Sequence, residues 1–104
     1  MTQFTVHRNA DPDSARWAPY LLTLQSDLLA DLATVVVAPL IREEDFGKPA
    51  DILNPVFSVE EQRVVLSAAE LAGISRQDLG VEVSSLAESR EAIVAALDLL
   101  FTGI

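Results

Sequence analysis

Apolar residues fall at every second position in Gln3-Phe4-Thr5-Val6-His7, which predicts a half-buried strand. Asn9 to Ser14 is rich in Asp and Pro and predicts a turn or hairpin loop. Tyr20 to Leu24 predicts a second strand, with Pro19 just ahead of it where a strand start tolerates proline. Gln25-Ser26-Asp27 ends that strand, and Leu28 to Leu32 fits a loop or a single helical turn. Thr34 to Ala38 is the clearest strand, because three adjacent valines strongly favour extended backbone, and Pro39 should break its ladder on one side. Arg42 to Asp51, with its charges, Gly47 and Pro49, predicts a loop. Val56 to Val59 and Arg63 to Leu66 flank Glu60-Glu61-Gln62 as the arms of a hairpin. Glu70 to Ile74 fits no single template, and Val81-Glu82-Val83 is a short alternating strand.

The period then changes. From Leu86 to Phe101 the apolar residues recur at helical spacing, with Leu86, Ile93, Leu97 and Leu100 on one stripe. Ser85 and Glu88 have the S-x-x-E spacing of a capping box, and Gly103 stands where a left-handed C-terminal cap belongs. These signals predict a helix over about 86–101. Val94, Ala95, Leu99 and Phe101 widen its apolar surface beyond what one sheet covers, which favours a second subunit over a purely internal role. Short strands followed by one helix predict a single domain over 1–104, mainly β within the α+β class: a small antiparallel sheet or barrel with the helix packed on it.

Composition adds to the dimer expectation. Half of the residues are apolar and mean hydropathy is +0.30, which is high for so short a chain, since a small domain has much surface and little interior. The formal charge of −9 points the same chain away from nucleic acid and anionic membranes, because phosphate binding needs clustered Lys and Arg. Lys48 is the single lysine and the arginines are scattered. An acidic surface suits a basic protein partner. Without cysteine there is no disulfide, thiolate catalysis or Cys-based metal site. No signal-peptide core and no bilayer-length apolar run is present, the longest being Val35 to Ile41. A cytoplasmic location is expected.

The candidate chemistry is sparse. His7 is the one histidine, and hydrolytic triads and His-based metal sites need more than it can supply. Glu43-Glu44-Asp45 and Glu60-Glu61 lie in expected loops, where solvated charge is the ordinary role. No phosphate-binding glycine motif and no nucleophile elbow occurs. The residue types point to a protein that acts by binding, with no cofactor or metal and no catalytic residue. Asp98 breaks a local rule, since a negative charge in a last helical turn opposes the helix dipole by about 0.3–1 kcal/mol.

Phe101-Thr102-Gly103-Ile104 matches three residues of the Phe-Trp-Gly-Ile tail of the CcdB family of bacterial toxins, which the chain resembles. Leu24-Gln25-Ser26-Asp27-Leu28-Leu29 resembles its Val-Gln-Ser-Asp-Ile-Ile, and Val37-Ala38-Pro39-Leu40 its Val-Ile-Pro-Leu. Gln3-Phe4 and Pro55-Val56 also fit, and the segments keep nearly constant spacing. The resemblance implies an SH3-like antiparallel barrel with a C-terminal helix, assembled as a homodimer. It implies a toxin that poisons DNA gyrase through the gyrase A subunit and is neutralised by a CcdA-like antitoxin. The residues it places against gyrase are Thr102, Gly103 and Ile104, with Asp98 one turn earlier and Leu28 and Leu29 in the place of paired isoleucines. Two positions depart from the pattern: Thr102 replaces a tryptophan and Asp98 an asparagine. An inactive family member that still binds antitoxin, and an unrelated barrel serving as an interaction module, are the competing readings.

Overall fold

The computed structural model describes residues 2–103. Seven strands form one sheet: β1 (Thr5–Asn9), β2 (Tyr20–Thr23), β3 (Thr34–Arg42), β4 (Val56–Val59), β5 (Gln62–Leu66), β6 (Ala72–Ser75) and β7 (Leu79–Ser85). A one-turn helix, α1 (Glu43–Phe46), follows β3, and the long helix α2 (Arg90–Thr102) comes last. The strand order is β4-β5-β3-β2-β1-β7, with β6 also on β3, and every pairing is antiparallel. The sheet curls into a half-barrel with one C-terminal helix, as the strand-then-helix order predicts.

Register decides which face becomes core. Val6 lies opposite Leu22 and Leu22 opposite Ala38. Tyr20 lies opposite Leu40 and Leu40 opposite Leu66. Opposite residues share a face, so these rows merge into one apolar layer, and all of them are buried. α2 lays Ile93 and Ala96 into that layer with no exposure, and Val94, Leu97 and Leu100 pack at its edge. Burying a side chain the size of Ile93 contributes about 1.5–3 kcal/mol.

β3 has one partner on one side and two on the other. β2 runs along Val37 to Leu40, while β6 pairs with Thr34 to Val37 and β5 with Leu40 to Arg42. Pro39 sits at the change of partner. Its carbonyl accepts from Ser67 N at 3.0 Å, and the N–H it lacks would fall in the gap between the two ladders. The expected break on one side is there, and it lets the strand continue to Arg42 instead of ending near Ala38.

Several boundaries differ from expectation. The first strand starts at Thr5, because Phe4 has φ +63 and cannot continue an extended segment. Arg42 to Asp51 contains α1. The capping box does not form: Ser85 is still in β7 opposite Thr5, and its Oγ accepts from Ala87 N at 3.2 Å, not from Glu88. Leu86 N also donates to the Phe4 carbonyl at 2.8 Å, so the chain is tied to the sheet at that point. A 3-10 turn over Ala87–Ser89 intervenes and α2 begins at Arg90. At the other end Gly103 is left-handed, with φ 75 and ψ 17, and its N–H donates to Leu99 as expected.

The β4–β5 hairpin turns through Glu60 and Glu61, both at positive φ (51 and 65). Two-residue turns of this kind favour Asn-Gly. Here the first glutamate is held from outside the hairpin. Tyr20 Oη donates to Glu60 Oε1 at 2.7 Å, and Arg8 Nη2 donates to Glu60 Oε2 at 3.0 Å. Burial, and then the Glu60 carboxylate beside it, raise the Tyr20 hydroxyl above its ordinary pKa of 10.0. The folded state therefore holds that proton more tightly than the unfolded chain, and the associated stability is lost as pH rises past 10. Tyr20→Phe is expected to cost about 1 kcal/mol at neutral pH and to flatten the alkaline fall in stability, both read from urea unfolding against pH.

His7 is buried in β1, between two register shifts in the β1–β7 ladder, with Nδ1 2.9 Å from the Gly80 carbonyl oxygen. Gly80 lies against the neighbouring Arg8, and a Cβ there would overlap the Arg8 carbonyl oxygen. Gly80→Ala is accordingly expected to destabilise the fold by about 2–4 kcal/mol, measured as a lowered urea midpoint, whereas Gly73→Ala meets nothing within 4 Å and should leave the midpoint nearly unchanged.

Candidate protein-binding site

The Gln25-Ser26-Asp27 run uses its polar side chains to fix the loop after β2. Gln25 Oε1 accepts from Val36 N at 3.1 Å, and Gln25 Nε2 donates to the Thr34 carbonyl at 3.2 Å. Ser26 Oγ accepts from Leu28 N at 3.2 Å, and Asp27 Oδ1 from Gln3 N at 2.7 Å. Arg76, from the turn after β6, reaches across to the loop. Its Nη2 donates to the Leu29 carbonyl at 3.1 Å and its Nε to the Leu32 carbonyl at 2.5 Å.

The polar groups are thus consumed inside the loop, and the leucines face out. Leu28 is 94% exposed and Leu29 is 47% exposed in the 3-10 turn Asp27–Leu29, with Leu32 half-exposed beside them. Leu28 has almost no contact with the fold, and an exposed leucine cluster on a braced loop is the pattern of an interaction surface.

The second group lies at the end of α2. Asp98, Thr102 and Gly103 are all exposed, and Phe101 is 69% exposed. Thr102 Oγ1 donates to the Asp98 carbonyl at 2.6 Å, one turn earlier in the same helix. Asp98 has no ion-pair partner among the described residues. Ile104 lies outside the described residues. Of the residues expected to act together, Leu28 and Leu29 form one group and Asp98, Thr102 and Gly103 the other; no hydrogen bond or ion pair between described residues joins the two. Sequence reasoning missed Arg76 as the brace of the leucine loop. Its partners are more than forty positions away along the chain, and no local spacing signals such a contact.

Among the described residues there is no cluster of three or more His, Asp or Glu able to hold a metal, and no helix is long and apolar enough to cross a membrane.

The solved structure of the Mycobacterium tuberculosis toxin MazF-mt6 matches this fold with a TM-score of 0.74, over 93% of this chain and 95% of that one, at 22% identity. At that identity the likeness is one of fold. The family described as CcdB protein matches residues 3–103, and the chain belongs to the CcdB family. No curated protein sequence matches it. Membership of this family supports a toxin of a toxin–antitoxin system.

The braced loop separates surface from scaffold. Leu28→Ser should change unfolding free energy by less than about 0.5 kcal/mol, as an exposed substitution. Arg76→Ala removes hydrogen bonds from a charged donor and should cost about 1.5–3 kcal/mol. Urea unfolding of the two variants side by side checks both values.

Proposed function

We propose that this protein is a non-enzymatic toxin that works as a homodimer and poisons DNA gyrase through the gyrase A subunit, with a CcdA-like antitoxin to neutralise it. The observation that carries this reading is the family match over residues 3–103. It is supported by the exposure of Leu28, Leu29, Thr102 and Gly103, the positions where the resemblance puts target contact. The dimer reading is supported by the apolar excess of α2, which leaves Phe101 largely in solvent. Its charges suit this mode of action: an acidic protein of net charge −9 finds a basic protein surface more readily than it finds DNA.

Thr102 sets the strength of the interaction. A large aromatic anchor at an interface contributes about 2–4 kcal/mol, equivalent to roughly 30- to 1000-fold in affinity. Thr102 offers no aromatic ring, only a methyl group and a hydroxyl whose proton is engaged by the Asp98 carbonyl. This favours one alternative: a family member that binds its antitoxin without poisoning gyrase.

Inducing the gene in a gyrase-dependent bacterium distinguishes the two. Growth arrest with cleaved DNA, relieved by Gly103→Arg or by deletion of Ile104, is the expected outcome. Normal growth with abundant, folded protein would overturn gyrase poisoning in that host and leave antitoxin binding as the function.

A further inference from the structure

The loop between β2 and β3 is fixed at its start by its own polar side chains, but its leucines are held from elsewhere. Among the described residues, every hydrogen bond that joins residues 28–33 to a part of the chain outside this loop comes from Arg76. Its Nη2 donates to the Leu29 carbonyl, its Nε to the Leu32 carbonyl, and its own N–H to the Ala33 carbonyl at 3.0 Å. The Leu29 carbonyl is shared, since it also accepts from Leu32 N at 3.1 Å and from Gln25 Nε2 at 3.4 Å. One residue thus fixes both ends of the leucine run.

Arg76 can do this because of where it stands. Among the described residues β6 pairs only with β3. Arg76 N continues that ladder one step past the Thr34–Ser75 pair, so the arginine is seated on the sheet. The turn it opens, Arg76–Asp78, is capped by Ser75 Oγ accepting from Gln77 N at 3.3 Å. Gln77 and Asp78 belong to the other side of the turn. They line a concave groove of about 580 Å³ on the sheet face opposite α2, with Trp17, Leu21, Val37 and Ile41. Arg76 alone of the three reaches to the leucine loop.

The use of the guanidinium is unusual for a surface arginine. It makes no ion pair among the described residues, and two of its donors are spent on main-chain carbonyls. A planar fork of donors suits this task, because it loses less freedom per bond than a flexible ammonium chain. The groups held in place are apolar: Leu28, Leu29 and Leu32 are 94%, 47% and 49% exposed. A loop without the brace would have to be ordered as a partner bound, and that cost would come out of the affinity. Thr102 makes this matter, since the end of α2 offers no aromatic ring and more of the apolar contact falls to the leucines.

From this geometry we infer that Arg76 is a positioning residue for target recognition, and that Leu32 is a third apolar contact beside Leu28 and Leu29. Neither Arg76 nor Leu32 is among the positions that the resemblance places against gyrase. Arg76 touches no target atom; it presents the three leucines as one preformed patch. The inference rests on the gyrase A subunit being the target.

The full chain is passed over immobilised gyrase A subunit and affinity is read by surface plasmon resonance. Arg76→Ala and Leu32→Ser are each expected to bind about tenfold more weakly than the parent, the scale of one side chain ordered or lost at an interface. Circular dichroism of both stays that of the parent. Because both changes act on one patch, the double variant should fall well short of the roughly hundredfold loss that independent sites give. Arg76→Lys keeps the charge but presents a single ammonium in place of the fork. It is expected to bind as weakly as Arg76→Ala, and it carries the test if the alanine variant folds poorly. Hydrogen exchange at the Leu32 N–H should quicken in both Arg76 variants. No binding by the parent overturns the gyrase reading and this inference with it. If the parent binds and Arg76→Lys or Leu32→Ser binds equally well, or the two losses multiply in full, the gyrase reading stands and the inference alone is overturned.

Discussion

β3 feeds three ladders, and the rest of the molecule is arranged around it. Its nine residues pair with β2 along one edge and with β6 and then β5 along the other. A continuous partner on the second edge would demand an N–H at Pro39 that proline does not have. Splitting that edge between two strands places the missing donor where the partner changes. The same split lets β6 diverge from β5, so the sheet curls into a half-barrel and leaves β6 with an open edge. The apolar layer under α2 and the concave groove opposite it are the two sides of this one strand: Ala38 and Leu40 face the helix, Val37 and Ile41 face the groove.

Local strain is concentrated where distant parts of the chain meet. Phe4 sits at positive φ yet is buried, with the Arg90 guanidinium 5.6 Å from its ring centre and Leu86 N bonded to its carbonyl. Glu60 is held at positive φ by Tyr20 and Arg8 from two other strands. Such conformations cost about 1–3 kcal/mol each and persist only when surrounding contacts determine them. In both cases the contacts come from far along the chain, so β1, the β4–β5 hairpin and the start of α2 are fixed together.

The two groups of exposed apolar residues have different origins. Leu28 and Leu29 project because Gln25, Ser26, Asp27 and Arg76 spend their polar groups on the loop beneath them. Phe101 projects because α2 is apolar on more of its circumference than one curled sheet covers. In the second case a sequence pattern alone was enough: a stripe at i, i+3 and i+4 wider than one face leaves a surplus wherever the helix docks.

The sequence by itself determined the strand-then-helix order, the valine strand, the break at Pro39, the hairpin, and the left-handed glycine after α2, because each rests on spacing or backbone preference within a few residues. It also carried the family, through short motifs in constant order. The tertiary structure decided where the first strand and the helix begin, since Phe4 and Leu86 are tied to each other across more than eighty residues. It decided as well that Glu60 is a clamped turn residue and not a free loop charge, that Arg76 braces the leucine loop, and that Trp17, Leu21 and Asp78 share a groove. Those outcomes depend on register and curvature, which bring together residues that no local pattern relates.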